Sequence, residues 1–148
     1  MWSAFINCIA ELDCLCSLAL VAKENNLVKP EILSINKKNK SPILDLRDAR
    51  HPCVEKILKR FVPNDIKIGD KGSLALLITG PNMGGKSTLL WSVCLNVIMA
   101  QIGSFVAASY CALTPCDRIF TWIGASDRIM ENKSTFFVEM EETKSFIE

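Results

Sequence analysis

The chain begins with a long apolar stretch whose hydrophobic residues recur at intervals of three and four positions. Its members are Trp2, Phe5, Ile6, Ile9, Leu12, Leu15, Cys16, Ala19 and Leu20. This spacing predicts a helix of about five or six turns with one wide apolar face, ending at the asparagine pair 25–26 and Pro30. Polar residues interrupt the stretch (Asn7, Glu11 and Asp13), and no basic segment precedes it. We therefore expect a buried amphipathic helix rather than a membrane span or a signal peptide.

The middle of the chain alternates between polar segments and short apolar runs. Residues 34–42 carry three lysines and Pro42 without interleaved aromatic residues, which is typical of a solvated linker and a domain boundary rather than a nucleic-acid patch. The alternation predicts a strand over residues 43–46 and an edge strand over residues 66–68. Between them we expect a turn at residues 50–52, where His51 is most simply a packing residue, and then a short helical run.

A third apolar run, Leu74 to Thr79, has the composition of a buried strand. A helical pattern opens at Ser87 and continues to Gly103, a residue suited to the position just after a helix. Two further strands are predicted over residues 106–113 and 117–123, followed by a loop over 126–133. Ser134 and Thr135 then open a last helix, which carries Phe136, Phe137, Met140 and Phe146.

The segment between the third apolar run and the helix fits the phosphate-binding pattern G-x-x-x-x-G-K-[ST]. Gly80, Gly85, Lys86 and Ser87 occupy its fixed positions. Glycines allow a sharp turn that brings backbone N–H groups close to a phosphate, and the following helix points its positive end at the same place. Lys86 would reach the β and γ phosphates, and the Ser87 hydroxyl would coordinate Mg²⁺. The structural alternative is a glycine-rich turn with a solvated lysine, which does not require Lys and Ser at these positions.

The composition of the chain limits the kinds of partner that it can bind by itself. The chain has 148 residues and a formal net charge of +1, so it has the size of one ordinary domain and no broad basic surface for binding DNA by itself. Its seven cysteines show no C-x-x-C spacing, and His51 is the only histidine, which argues against a zinc site. We expect reduced thiols in an intracellular protein.

Four segments resemble the MutS family of DNA mismatch-repair ATPases: TGPNMGGKSTLL at 79–90, MAQIGSFVAA at 99–108, LTPCDRIFTWIGASDRIM at 113–130 and STFFVEMEET at 134–143. Residues 50–53 and 61–65 match as well. Within the family, residues 99–101 and 124–130 are most similar to the large subunit of the eukaryotic MutSα heterodimer. The resemblance covers nearly the whole chain but a small part of a full family member.

The resemblance implies roles for particular residues. It implies an ATP site with Mg²⁺, formed by Phe61 and the loop residues Gly80, Pro81, Asn82, Met83, Gly84, Gly85, Lys86, Ser87 and Thr88. Phe61 would stack on the adenine, although an edge packing residue is the plain alternative. Ser134 and Thr135 would act like an ABC-type signature on the nucleotide of a partner subunit, with an ordinary helix N-cap as the alternative.

The fold class that follows is α/β: a P-loop NTPase half-domain of ABC type, preceded by a long helix of the lever region. Residues 1–40 would end the core or lever region, and residues 41–148 would form the amino-terminal part of the ATPase domain. No acidic strand suited to holding Mg²⁺ is found, so we expect a piece of a larger ATPase that is unlikely to hydrolyse ATP alone. Three positions depart from the family: Trp91 and Trp122 replace its usual arginines, and Ala107 replaces its usual proline.

The function expected from the resemblance is ATP binding in a nuclear mismatch-repair protein. In the intact heterodimer with a second MutS homologue, this ATP binding would be coupled to recognition of mismatched double-stranded DNA through regions outside this chain, with no membrane involved. The alternatives are a truncated, catalytically silent fragment, a MutS homologue acting in meiotic recombination, and a more distant ABC-type ATPase.

Overall fold

The computed structural model describes residues 2–34, 41–70, 72–121, 140 and 144. Its helices are α1 (Trp2–Glu24), α2 (Val54–Ile57) and α3 (Lys86–Gln101), and its strands are β1 (Glu31–Ile32), β2 (Ile43–Ala49), β3 (Asn64–Gly69) and β4 (Tyr110–Leu113). Met140 and Lys144 are also helical. The chain forms two compact units, Met1–Pro115 and Cys116–Glu148. The labelled helices and strands all belong to the first unit, and Met140 and Lys144 belong to the second.

The four strands form one mixed sheet in the order β1-β4-β2-β3. β2 runs antiparallel to both neighbours, and Leu46 at its centre pairs with Ile66 on β3 and Cys111 on β4. β1 joins the other side of β4 in parallel. The predicted strands over 43–46 and 66–68 are confirmed, and β3 lies at an edge as expected. Only the second half of the predicted strand 106–113 forms, and the two-residue β1 is too short to have shown a period in the sequence.

α1 begins at Trp2 and ends where the sequence predicted. Asn26 adopts a left-handed conformation with φ of 50°, and the Leu27 N–H donates to the Ala22 carbonyl at 2.9 Å. This closing pattern satisfies carbonyls that the last helical turn leaves without partners. Asparagine tolerates the left-handed conformation better than most residues, which explains why the helix ends at this pair.

The expectation that α1 is buried is wrong. Ala22 is its only buried residue, and its large apolar side chains are exposed, with Trp2 80% exposed. The three- and four-residue periodicity predicted a helix correctly, but periodicity does not reveal what covers an apolar surface. By length and composition alone, α1 is the one helix among the described residues that could cross a membrane, a test that core helices of soluble proteins also pass.

The core lies between the sheet and α3. Leu46, Ile66 and the β4 residues Cys111 and Leu113 are buried on the sheet, and Val97 and Ala100 are buried on α3. α3 ends in the predicted way: Gly103 has a φ of 87°, and the Ser104 N–H donates to the Met99 carbonyl at 2.9 Å. Gly103 therefore ends the helix as the sequence indicated.

Two predicted strands are absent from the described residues. Leu74 to Thr79 forms no strand, and Leu77 is 90% exposed. A strand needs a neighbour to satisfy its backbone groups, and no described strand pairs with this run. Residues 117–121 form no strand either. Neither the apolar composition of the first segment nor the alternation of the second supplies a hydrogen-bonding partner.

Several of the sequence-based predictions concern residues that the structure does not describe. The proposed boundary at residue 40 lies in the gap 35–40 and stays a prediction. The same holds for the end of the strand predicted over 117–123, for the loop over 126–133, and for the helix opening at Ser134 and Thr135.

Candidate functional site

The loop between residues 79 and 86 has the tight backbone that its glycines predicted. Gly85 adopts a left-handed conformation with φ of 82°, and Met83 does so with φ of 65°. A Cβ added to Gly84 would lie 2.9 Å from the Pro81 carbonyl oxygen, closer than real Cβ atoms come. The Gly84 N–H donates to that same oxygen at 3.1 Å. Glycine is therefore required at 84 by close approach and favoured at 85 by conformation.

α3 begins directly after this loop. Its first intrahelical bond runs from the Leu89 N–H to the Gly85 carbonyl at 2.9 Å. The N–H groups of the preceding turn, at Lys86, Ser87 and Thr88, have no acceptor within the helix. These groups and the helix dipole provide positive potential at the loop. The local structure is therefore suited to hold an anion.

The Lys86 side chain folds back over the loop. Its Nζ donates to the carbonyl oxygens of Gly80 at 2.6 Å and Pro81 at 2.7 Å. These contacts hold the ammonium group at the mouth of the loop. An ammonium with three donors can keep carbonyl contacts and still reach a phosphate oxygen.

A cleft of about 590 Å³ joins this loop to the segment that follows α2. One wall comes from residues 58–64 and includes Phe61, and the facing wall comes from the loop and the start of α3. The lining residues are Leu58, Arg60, Phe61, Val62, Asn64, Ile78, Thr79, Gly80, Pro81, Met83, Gly84, Gly85, Lys86, Thr88 and Leu89. The structure thus brings Phe61, predicted as a base-stacking residue, to the same cleft as the phosphate loop.

The charge of the cleft is unusual for this chain. The whole sequence has 17 basic and 16 acidic residues, yet the lining residues that the structure describes include Lys86 and Arg60 and no carboxylate. A concave site with cations, helix-end amides and an aromatic wall can hold a phosphorylated, ring-containing ligand. Because no acid lines it among the described residues, these residues supply binding groups but no general base.

Not every predicted site residue lies in this cleft. Asn82 and Ser87 are exposed and are absent from the lining. No group of three potential metal ligands occurs among the described residues, so the metal role of Ser87 stays a prediction. Ser134 and Thr135 lie outside the described residues, as does Trp122. Trp91 is half exposed on α3.

A buried polar network positions α3, and the sequence did not reveal it. Asn96 is 0% exposed; its Nδ2 donates to the carbonyls of Arg50 at 3.1 Å and Ser92 at 2.8 Å. Its Oδ1 accepts from the Ala107 N–H at 2.7 Å. The Ser92 hydroxyl in turn donates to the Thr88 carbonyl. A single asparagine among the apolar residues of a helix was the available signal.

Arg50 extends the network to the end of α1. Its guanidinium pairs with Glu55 at 2.6 Å and donates to the Asn26 carbonyl at 3.1 Å. The arginine therefore fastens the turn after α1 to the segment that carries α2. Residues 61–64 of the cleft wall follow this segment directly.

Comparison with known proteins gives the family. Residues 76–148 match the family model described as MutS domain V. The DNA mismatch repair protein Msh6 of Gallus gallus is 50% identical over 157 aligned residues, which cover 99% of this chain and 12% of that protein. The chain belongs to the MutS family. The DNA mismatch repair protein MutS of Clostridium botulinum (strain Okra / Type B1) is also 50% identical, over 94% of this MutS-family chain and 14% of that protein.

The predicted MutS resemblance is confirmed, and a relative named Msh6 aligns along nearly the whole chain. This MutS-family chain spans about an eighth of the length of the relatives it matches. The alignment with the DNA mismatch repair protein Msh6 of Gallus gallus covers 99% of this chain, so it includes nearly all of α1.

Proposed function

We propose that this chain is the ATP-binding part of a DNA mismatch-repair protein. The observation that carries the proposal is the shared cleft, which is lined by Phe61, a glycine loop and Lys86, with no carboxylate among the described lining residues. Its features match the parts of a nucleotide: an aromatic wall for the base, amides and an ammonium for the phosphates. The identity to mismatch-repair proteins along the whole chain supports the biological setting.

In this proposal each residue has a definite task. Lys86 and the amides at the start of α3 bind and orient the β and γ phosphates, while Phe61 stacks on the adenine. Ser87 lies one residue further along the first turn, where its hydroxyl would hold Mg²⁺, the ion that neutralises phosphate charge when bound. Ser134 and Thr135 would contact the nucleotide of a partner subunit. The half-domain is of P-loop type, with the run Leu74 to Thr79 taking its place in a sheet in the intact protein.

The wider role is also part of the proposal. A second MutS homologue would complete the nucleotide site, and mismatched DNA would be bound by regions outside this chain. In the intact heterodimer, ATP binding and hydrolysis would then be coupled to mismatch recognition. The net charge of +1 supports placing DNA binding elsewhere, because this chain has no excess of cations for a phosphate backbone. We propose a nuclear location on the same likeness to Msh6.

Replacing Lys86 tests the nucleotide site directly. Lys86→Ala removes the ammonium at the loop, and we expect it to weaken ATP binding by at least about tenfold, because hydrogen bonds to charged groups contribute about 1.5–3 kcal/mol. Isothermal titration calorimetry on the 148-residue chain measures the affinity. Lys56→Ala, at an exposed lysine of α2 outside the cleft, is the matched control and should bind as the original chain does. Equal affinities for all three proteins would contradict the proposal.

Hydrolysis is a separate question from binding. Because the described cleft lining holds no carboxylate, we expect the chain alone to bind ATP without steady-state turnover. Phosphate release measured over several hours checks this. Turnover that is lost in Lys86→Ala would show that residues outside the described cleft complete an active site.

A further inference from the structure

We propose that Arg60 is a second phosphate-binding cation of the cleft, acting together with Lys86; this inference rests on the proposed nucleotide function. Neither the phosphate-loop pattern nor the family resemblance assigns Arg60 a role. Its ligand would be a nucleoside diphosphate or triphosphate.

Arg60 is placed by the segment that follows α2. The helix ends at Ile57, and residues 58–63 continue without regular structure to β3. Arg60 and its chain neighbour Phe61 both line the cleft. A ligand stacked on Phe61 would therefore lie beside the guanidinium.

The guanidinium of Arg60 also has no interaction partner among the described residues. It forms no hydrogen bond or ion pair with any of the residues that the structure describes. Arg47, by contrast, pairs with Asp45 at 3.3 Å and lies 4.7 Å from the ring centre of Tyr110, and Arg50 is held by Glu55. An arginine whose donors have no protein partner retains its full capacity for a bidentate contact with a phosphate.

Charge balance favours a phosphate over the base as its partner. A nucleoside polyphosphate carries several negative charges, and among the described residues Lys86 is the only other cation that lines the cleft. Lys86 already donates to two carbonyl oxygens. Since the described part of the lining has no carboxylate to compete, the phosphates are the strongest acceptors that Arg60 would meet there.

The test compares two ligands that differ only in their phosphates. Without added metal, we expect Arg60→Ala to weaken ADP binding by about threefold to tenfold, as partly exposed charge-assisted contacts do, and to leave adenosine binding unchanged. The ADP affinity of the variant should also fall less steeply with salt, because one ionic contact is gone. Arg60→Lys should keep part of the affinity. Lys59→Ala, at the adjacent exposed cation outside the cleft lining, is the matched control and should bind ADP as the original chain does.

The affinities are measured by isothermal titration calorimetry, and each outcome supports or overturns the role of Arg60. Equal loss of ADP and adenosine binding would overturn the phosphate contact, because Arg60 would then act on the base or on the wall itself. ADP affinities of Arg60→Ala and Lys59→Ala equal to that of the original chain would overturn any role for Arg60 while leaving the proposed function intact. If the original chain bound no ADP, both proposals would fail together.

Discussion

Cys111 lies at the centre of β4, where the sheet meets α3, and it is 1% exposed. Burial, with a smaller contribution from the charge of Asp45, raises the pKa of its thiol from 9.0 to about 11. The neutral thiol is therefore favoured in the folded chain. Since the folded pKa is higher than the unfolded one, this stabilisation is complete below pH 9 and is lost as the pH rises towards 11.

The raised pKa predicts selective alkylation at the residue scale. At pH 8 a shift of two pKa units lowers the thiolate fraction about a hundredfold, so iodoacetamide should modify the exposed Cys53 far faster than Cys111. Peptide mass spectrometry over time measures both rates, and unfolding in urea should make them similar. A folded chain in which Cys111 reacts as fast as Cys53 would contradict the buried placement of β4.

At the scale of elements, Asn96 links α3 to the segments that follow β2 and precede β4. The Asn96 Oδ1 accepts from the Ala107 N–H, and Ala107 is fully buried. Proline is usual at this position in the family that the sequence resembles, and proline has no N–H. The alanine and the asparagine therefore form a matched pair in this chain.

This pairing predicts that proline at position 107, the family's usual residue, destabilises this chain. Ala107→Pro leaves the buried Asn96 oxygen without its donor, and we expect it to lower the free energy of unfolding by about 1–3 kcal/mol. Urea denaturation measures the change. Combining it with Asn96→Leu should cost less than the sum of the two single changes, since both polar partners are then removed. Strictly additive costs would contradict the pairing.

The elements also show which structural features can be predicted from the sequence and which cannot. The tight backbone of the glycine loop, the start and end of α3 and the central strand β2 follow from local patterns, because glycine geometry, helix ends and alternation are properties of neighbouring residues. The strand expected over Leu74 to Thr79 did not form, because a strand depends on a partner elsewhere in space. Arg60 and Asn96 were missed for the same reason: their importance comes from what they face in the fold.

At the scale of the whole molecule, the exposed apolar surface of α1 is the main departure from an ordinary domain. Phe5, Ile9 and Leu12 are all more than half exposed. Large exposed apolar surfaces mark interaction sites. None of these residues lines the cleft, so association through α1 and nucleotide binding should be separable.

We expect the chain to self-associate through α1 as its concentration rises. Phe5→Ser, Ile9→Ser and Leu12→Ser combined should shift sedimentation velocity profiles towards monomer without changing ATP affinity. Ile57→Ser, at an 81% exposed residue of α2, is the control and should not reduce association. A chain that is monomeric at every concentration would contradict this role for the α1 surface.

The central claim is that Phe61 and the glycine loop form the two walls of a single nucleotide site. Titration of the ¹⁵N-labelled chain with ADP, followed through its amide resonances, tests it most directly. We predict that the amides of residues 83–88 and of Phe61 shift together with one dissociation constant, and that Lys86→Ala abolishes both responses. Shifts confined to one wall, or no shifts in either, would contradict the account.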